Sequence, residues 1–164
     1  MIINCDETGL SIVPTSEYTY EKLGSKQVTM HGKSDKRQIT MVASISFSGD
    51  VLPPQIIYKG KTDRSHPKEV NFNESWLIDN SESHWTTFNT FNRFIEKLLI
   101  PYIHKQRQTI GDKPGLLILD KFKVHLDGTA YKEMLKAHNI FWVFVPSSQT
   151  DSVRIFIISI YNLF

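Results

Sequence analysis

The sequence predicts an α/β domain built on a mixed β-sheet flanked by helices. Three observations carry this. Segments of strand and helix character follow in the order strand, hairpin, helix, strand, helix, strand. Two apolar runs, at 2–6 and 115–120, each end on an aspartate, in the manner of central strands buried on both faces. Apolar residues make up 40% of the 164, and Phe, Trp and Tyr 12%, enough to bury one core and to exclude global disorder.

Residues 1–6 read as a short buried strand with polar residues at its end. A chain that opens on a core strand without a lead-in is expected of a piece of something longer. At 39–47, Ile39, Met41, Ala43, Ile45 and Phe47 alternate with Thr40, Val42, Ser44 and Ser46, the period of two of a strand. Ser48, Gly49 and Asp50 turn the chain, and 51–58 returns as the second arm of a hairpin. Pro53 and Pro54 donate no ladder hydrogen bond, so the start of that arm is an edge or a bulge. Residues 60–84 lack sustained periodicity and predict a long polar connection. From 87 to 107, Phe88, Phe91, Phe94, Ile95, Leu98, Leu99, Tyr102 and Ile103 recur at helical spacing. Pro101 falls inside that pattern and should kink or divide the helix. After a break at 111–115, residues 116–120 form a central strand, 129–138 a short helix with Met134 and Leu135 inward, and 140–145 a last buried strand stopped by Pro146. The strands at 2–6 and 115–120 are expected to be neighbours.

Composition excludes several function classes. The single cysteine, Cys5, allows no internal disulfide, and no Cys/His zinc pattern is present, which fits a reducing compartment. No secretory leader is read at the start. The longest apolar run, 155–164, is too short to span a bilayer, so no membrane partner is predicted. Because it carries no charge and is rich in β-formers, that run invites pairing with another chain if exposed. The net charge is +2. Two basic clusters stand out: Lys22, Lys26, Lys33, Lys36 and Arg37, offset by Asp35, and Lys59, Lys61, Arg64 and Lys68, offset by Asp63. Such clusters follow a phosphate backbone in nucleic-acid-binding proteins, but charge alone favours an ordinary solvated face.

The chemistry lies at two strand ends. Open α/β sheets place ligands at the carboxyl edge of the strands, where Asp6 and Asp120 are expected. Two carboxylates converging there would suit hard divalent cations. Spacing alone equally permits strand-end aspartates that cap a turn or helix.

The flanking residues add a resemblance. Residues 4–10 (Asn-Cys-Asp-Glu-Thr-Gly-Leu) resemble the block around the first catalytic aspartate of Tigger- and Pogo-like transposases, relatives of jerky and centromere-protein-B type in the DDE superfamily of endonucleases. Residues 49–61, with Leu52-Pro53-Pro54 leading to Lys59-Gly60-Lys61, resemble the next block. Leu116 to Asp120, followed by His125, resemble the block of the second aspartate. Trp142 to Pro146, with Thr150, resemble the strand and loop before the third. The resemblance implies an RNase H-like fold over residues 1–150, with 151–164 as a divergent apolar tail. It implies two-metal DNA cleavage and strand transfer, Mg²⁺ or Mn²⁺ as cofactor, Asp6 and Asp120 as catalytic metal ligands, and a nuclear location. Lys59, Lys61 and His125 are the candidate nucleic-acid contacts. Glu7, pointing to the face opposite Asp6, reads as structural, a partner for the loop after Gly9. His125 stands either near substrate or the metal ligands, or as a surface residue at a helix start.

The pattern then departs from the family. Where the family continues with Gln-Pro-Leu-Asp, whose Asp is the third metal ligand, an ungapped alignment places Arg154, Ile155 and, at the Asp, Ile157. Asp151 is a displaced candidate that falls six positions early on the same alignment. A missing carboxylate removes charge that balances the cations, so weakened metal binding and impaired cleavage are expected. No basic three-helix region precedes Asn4, so DNA binding is expected to be non-specific. The alternative is a domesticated, non-enzymatic module that binds DNA or protein.

Overall fold

The computed structural model describes residues 1–12, 22–26 and 37–146. Asp151, Ile157 and the apolar tail, together with Lys33 and Lys36, lie outside the described residues. A six-stranded mixed sheet forms the centre, in the order β4-β3-β2-β1-β5-β6. The strands are β1 (Ile2–Ser11), β2 (Gln38–Ser46), β3 (Gln55–Lys59), β4 (Leu77–Ser81), β5 (Gly115–Asp120) and β6 (Ile140–Val145).

The hairpin expected from the alternation at 39–47 is β2 and β3, paired antiparallel with Thr40 opposite Ile57. Pro53 and Pro54 stay outside the ladder, and only Val51 makes a bridge, to Ile45. β1 runs on well past Asp6, because its whole length from Ile3 to Ser11 finds partners on β2. β1 and β5 are parallel neighbours, Ile2 to Asn4 lying against Leu116 to Ile118. β6 extends the parallel set beyond β5.

The stretch 60–84, expected as a long polar connection, contains β4, parallel to β3. Its inward residues are polar, which is why hydropathy does not reveal it. Asp79 is 3% exposed, receives a hydrogen bond from Gln55 Nε2 at 2.9 Å and pairs with Arg93. Ser81 donates to the carbonyl of Trp85 at 2.7 Å. Burial raises the Asp79 carboxyl above its ordinary value, while Gln55 and Arg93 work against that rise.

The helix expected at 87–107 runs without a gap from Phe88 to Ile110 as α1 (Phe88–Phe94), a π-helical turn (Ile95–Leu99) and α2 (Ile100–Ile110). Thr87 caps its start in a reciprocal box with Thr90. Pro101 divides the helix by this route rather than by ending it. Proline lacks an N–H and its ring crowds the carbonyl four residues back, and a wider turn just upstream relieves both problems. The buried faces of Ile95, Leu98 and Leu99 hold that turn on the sheet. Two short helices follow β5: α3 (Lys123–Asp127), not foreseen because five residues show no periodicity, and α4 (Ala130–Ala137).

The core joins these helices to one face of the sheet. Phe91, Phe94, Leu99, Ile103, Tyr131 and Leu135 pack with Ile3, Cys5, Val42, Ile57, Leu117 and Leu119. Each such side chain contributes about 1.5–3 kcal/mol of burial free energy. Strand alternation puts Ile3, Cys5 and Glu7 on this helix-covered face, and Asn4 and Asp6 on the other.

Candidate active site

The parallel register of β1 and β5 ends at Asn4 opposite Ile118; Asp120, the last residue of β5, lies two residues beyond Ile118, and Asp6 lies two residues beyond Asn4 within β1, which runs on to Ser11. The Asp6 carboxylate accepts the Glu7 N–H at 2.9 Å through Oδ1. Asp120 ends its strand, and its Oδ1 accepts the N–H of Phe122 at 3.2 Å, closing the turn into α3.

α3 carries the residue that ties the edge together. His125 is 0% exposed. Its Nδ1 lies 2.9 Å from Asp120 Oδ1, and its Nε2 lies 3.0 Å from Glu7 Oε1. The ring also packs against Phe91 at 4.5 Å between centroids and against Phe122 at 5.6 Å. Tyr131 donates its hydroxyl to the His125 carbonyl, which fixes the backbone as well.

Each ring nitrogen of His125 thus faces a carboxylate oxygen. An ionised carboxylate only accepts, so an imidazole facing one at each nitrogen is satisfied as the imidazolium. Burial pulls the His125 pKa down, but the hydrogen bonds and charges of Asp120 and Glu7 outweigh it and raise it to about 9. Glu7 and Asp120 therefore face one imidazolium, with Asp6 next to Glu7 in the chain. Their charge is felt by Cys5, whose thiol is pushed well up, first by burial and then by all three carboxylates, and is inert at neutral pH.

The structure thus assigns different surroundings to the residues singled out from sequence. Glu7 does face away from Asp6, and its carboxylate meets His125; most of the loop after Gly9 lies outside the described residues. His125 is buried behind the carboxylates, so it is neither a surface residue nor placed to touch nucleic acid directly. Lys59 and Lys61 are exposed, with Lys61 3.2 Å from Glu82. Lys59 ends β3 two strands from β1 and, through the pairings at Thr40, lies level with Ser11. That is roughly 17 Å along the strand direction from the level of Asp6. The Glu7–His125–Asp120 chain is the feature that sequence reasoning missed. Its only signals were the His that follows Asp120 and an acid next to Asp6, and neither tells that α3 brings them together.

The donors also decide which ion would fit. Glu7, Asp120 and His125 offer three ligand atoms within 4.8 Å of one another. Both His125 nitrogens are turned to carboxylates, however, and an imidazolium is no ligand. What remains for a cation is carboxylate oxygen, the donor type that Mg²⁺ and Mn²⁺ take.

Residues 35–164 match the family model described as DDE superfamily endonuclease. The matched span contains Asp120 and His125, and β1 with Asp6 and Glu7 precedes it. No curated protein and no solved structure matches the chain.

Proposed function

Because this chain belongs to the DDE superfamily endonuclease family, we propose that it is a transposase-derived, Tigger- or Pogo-like nuclease domain with an impaired metal site and residual, sequence-independent affinity for DNA. The observation that supports this reading is the parallel pairing of β1 with β5, in which Asp6 and Asp120 each lie two residues beyond the paired Asn4 and Ile118. Two carboxylates there would hold Mg²⁺ or Mn²⁺. A bound pair of such ions supplies activation of the attacking hydroxyl and stabilisation of the leaving oxygen of a phosphodiester.

The chain's own residues do the positioning. His125 holds Asp120 by one oxygen, and Glu7 holds His125, so the aspartate keeps one orientation instead of sampling several. The imidazolium also offsets part of the carboxylate charge while no cation is there. Ile157, at the position aligned with the third ligand, offers no oxygen, which supports weak metal retention. Asp151 is the one acid nearby in sequence that would substitute. Exposed Lys59 and Lys61 lie toward the same end of the sheet and would meet phosphates as a salt-sensitive, sequence-blind contact. Domesticated transposases act on chromosomal DNA, so the nucleus is the proposed location.

A plasmid-nicking assay with Mn²⁺ tests the reading. The expected result is no cleavage above background, with DNA binding that falls steeply as salt rises. Nicking that Asp6→Ala abolishes would overturn the impairment, and activity lost in Asp151→Ala would assign the third ligand there. Absence of both cleavage and DNA binding would favour a protein-binding module.

A further inference from the structure

A second cluster of metal-ligating side chains lies away from the carboxylates, on the seam between α2 and the end of α4. His104, on the exposed side of α2, and His138, which closes α4, face each other with Nε2 of the first 3.0 Å from Nδ1 of the second. Their ring centroids are 4.9 Å apart with the planes at 56°. We propose that this pair is a surface site for a borderline divalent transition metal such as Ni²⁺, Cu²⁺ or Zn²⁺.

The distance carries the argument. Imidazole nitrogens bind such ions at about 2.0–2.1 Å, so two of them on one ion stand about 2.9 Å apart at a right angle and about 3.4 Å apart at the tetrahedral angle. The pair already has that separation. In the neutral pair one of the two facing nitrogens carries the shared hydrogen. Moving that hydrogen to the other nitrogen of the same ring leaves two lone pairs facing the ion, with no net change in protonation.

The backbone on both sides is fixed before any ion arrives. The His138 N–H closes α4 onto the carbonyls of Met134 and Leu135. Asn139, which follows it, takes a left-handed conformation at φ 51°. Arg107 of α2 donates to the Asn139 carbonyl at 3.2 Å, pinning that turn to the helix that carries His104. An ion here needs only the two imidazoles to reorient, and water completes its coordination. Imidazole donors select Ni²⁺, Cu²⁺ and Zn²⁺ over Mg²⁺, the reverse of the carboxylate site.

Titration calorimetry of the full chain with NiCl₂ in excess Mg²⁺ tests this. The expected result is one Ni²⁺ per chain, unchanged in Asp120→Ala, and weakened more than about tenfold in His104→Ala and in His138→Ala, since even outer partners of a metal cost that much. His104 is exposed, so its variant should keep the parent's circular dichroism and melting temperature. No Ni²⁺ binding, binding that survives loss of either histidine, or binding lost in Asp120→Ala would overturn the proposal. So would an ion that links two copies, seen as a metal-dependent rise in mass by light scattering.

Discussion

At the scale of single residues, His125 governs the candidate site. Replacing it with alanine leaves Glu7 and Asp120 facing each other across a buried gap. Two partly buried carboxylates then lose their shared imidazole partner, and the ring's packing against Phe91 is lost. The expected cost is about 2–4 kcal/mol, read from urea denaturation at neutral pH. The same residue sets a pH dependence. Its folded pKa is raised from the ordinary 6.5 to about 9. The folded state therefore holds a proton that the unfolded chain releases earlier, and the stabilisation is complete below about pH 6.5. It should fade as pH rises from there through about 9. Denaturation midpoints in EDTA should fall across that window in the parent and stay level in His125→Ala. A parent curve that is flat between pH 6.5 and 9 would mean that His125 is neutral in the folded protein.

At the scale of elements, the seating of α3 depends on a close approach at Gly128. A Cβ there would lie 2.6 Å from the Tyr131 ring and 2.9 Å from the Val124 carbonyl. The backbone carbonyl is part of α3 and has little freedom to retreat. Gly128→Ala should therefore push Tyr131 away from the His125 carbonyl and cost about 1–3 kcal/mol, the usual penalty of overpacking. The site should respond too, with a histidine NMR resonance of His125 shifted relative to the parent. The long helix teaches a related lesson. Pro101 is compatible with continued helix because the turn at Ile95–Leu99 widens. Periodicity reports which residues face inward, but one inserted step in the helix leaves nearly the same apolar stripe and is invisible to it.

At the scale of the whole molecule, the fold and the family agree. Asp6 and Asp120 each lie two residues beyond the last pair of the parallel β1–β5 register, and none of the described helices is long and apolar enough to cross a membrane. Affinity for Mg²⁺ should be low with two carboxylate ligands. Stabilisation by Mg²⁺ at tenfold below saturating levels for an intact site is expected to stay under about 1.4 kcal/mol, the value reached when free ion is about ten times Kd. Thermal-shift titration checks this, and Asp120→Ala should remove what stabilisation there is. A larger effect would signal a complete ligand set.

The sequence by itself determined the layout that alternation and apolar runs encode. The β2–β3 hairpin, the two neighbouring strands that carry Asp6 and Asp120, the amphipathic helix beginning at Phe88 and the β6 run from Ile140 were all legible, because strand alternation, apolar runs and helical spacing leave a pattern in the residues. β4, whose inner residues are polar, was not legible, although β2 was read from its alternation despite burying Thr40, Ser44 and Ser46 beside Val42. β4 places Asp79 and Ser81 inward, and their partners Gln55, Arg93 and Trp85 lie in other segments of the chain. The site divides in the same way. Asp120 ends β5 and Asp6 lies within β1, and both could be named from local pattern. The imidazolium that orients one of them could not, since Glu7 and His125 are 118 residues apart in sequence. Only the packing of α3 onto the β1 face brings them to 3.0 Å, and burial there lets two carboxylates and one ring set each other's charge.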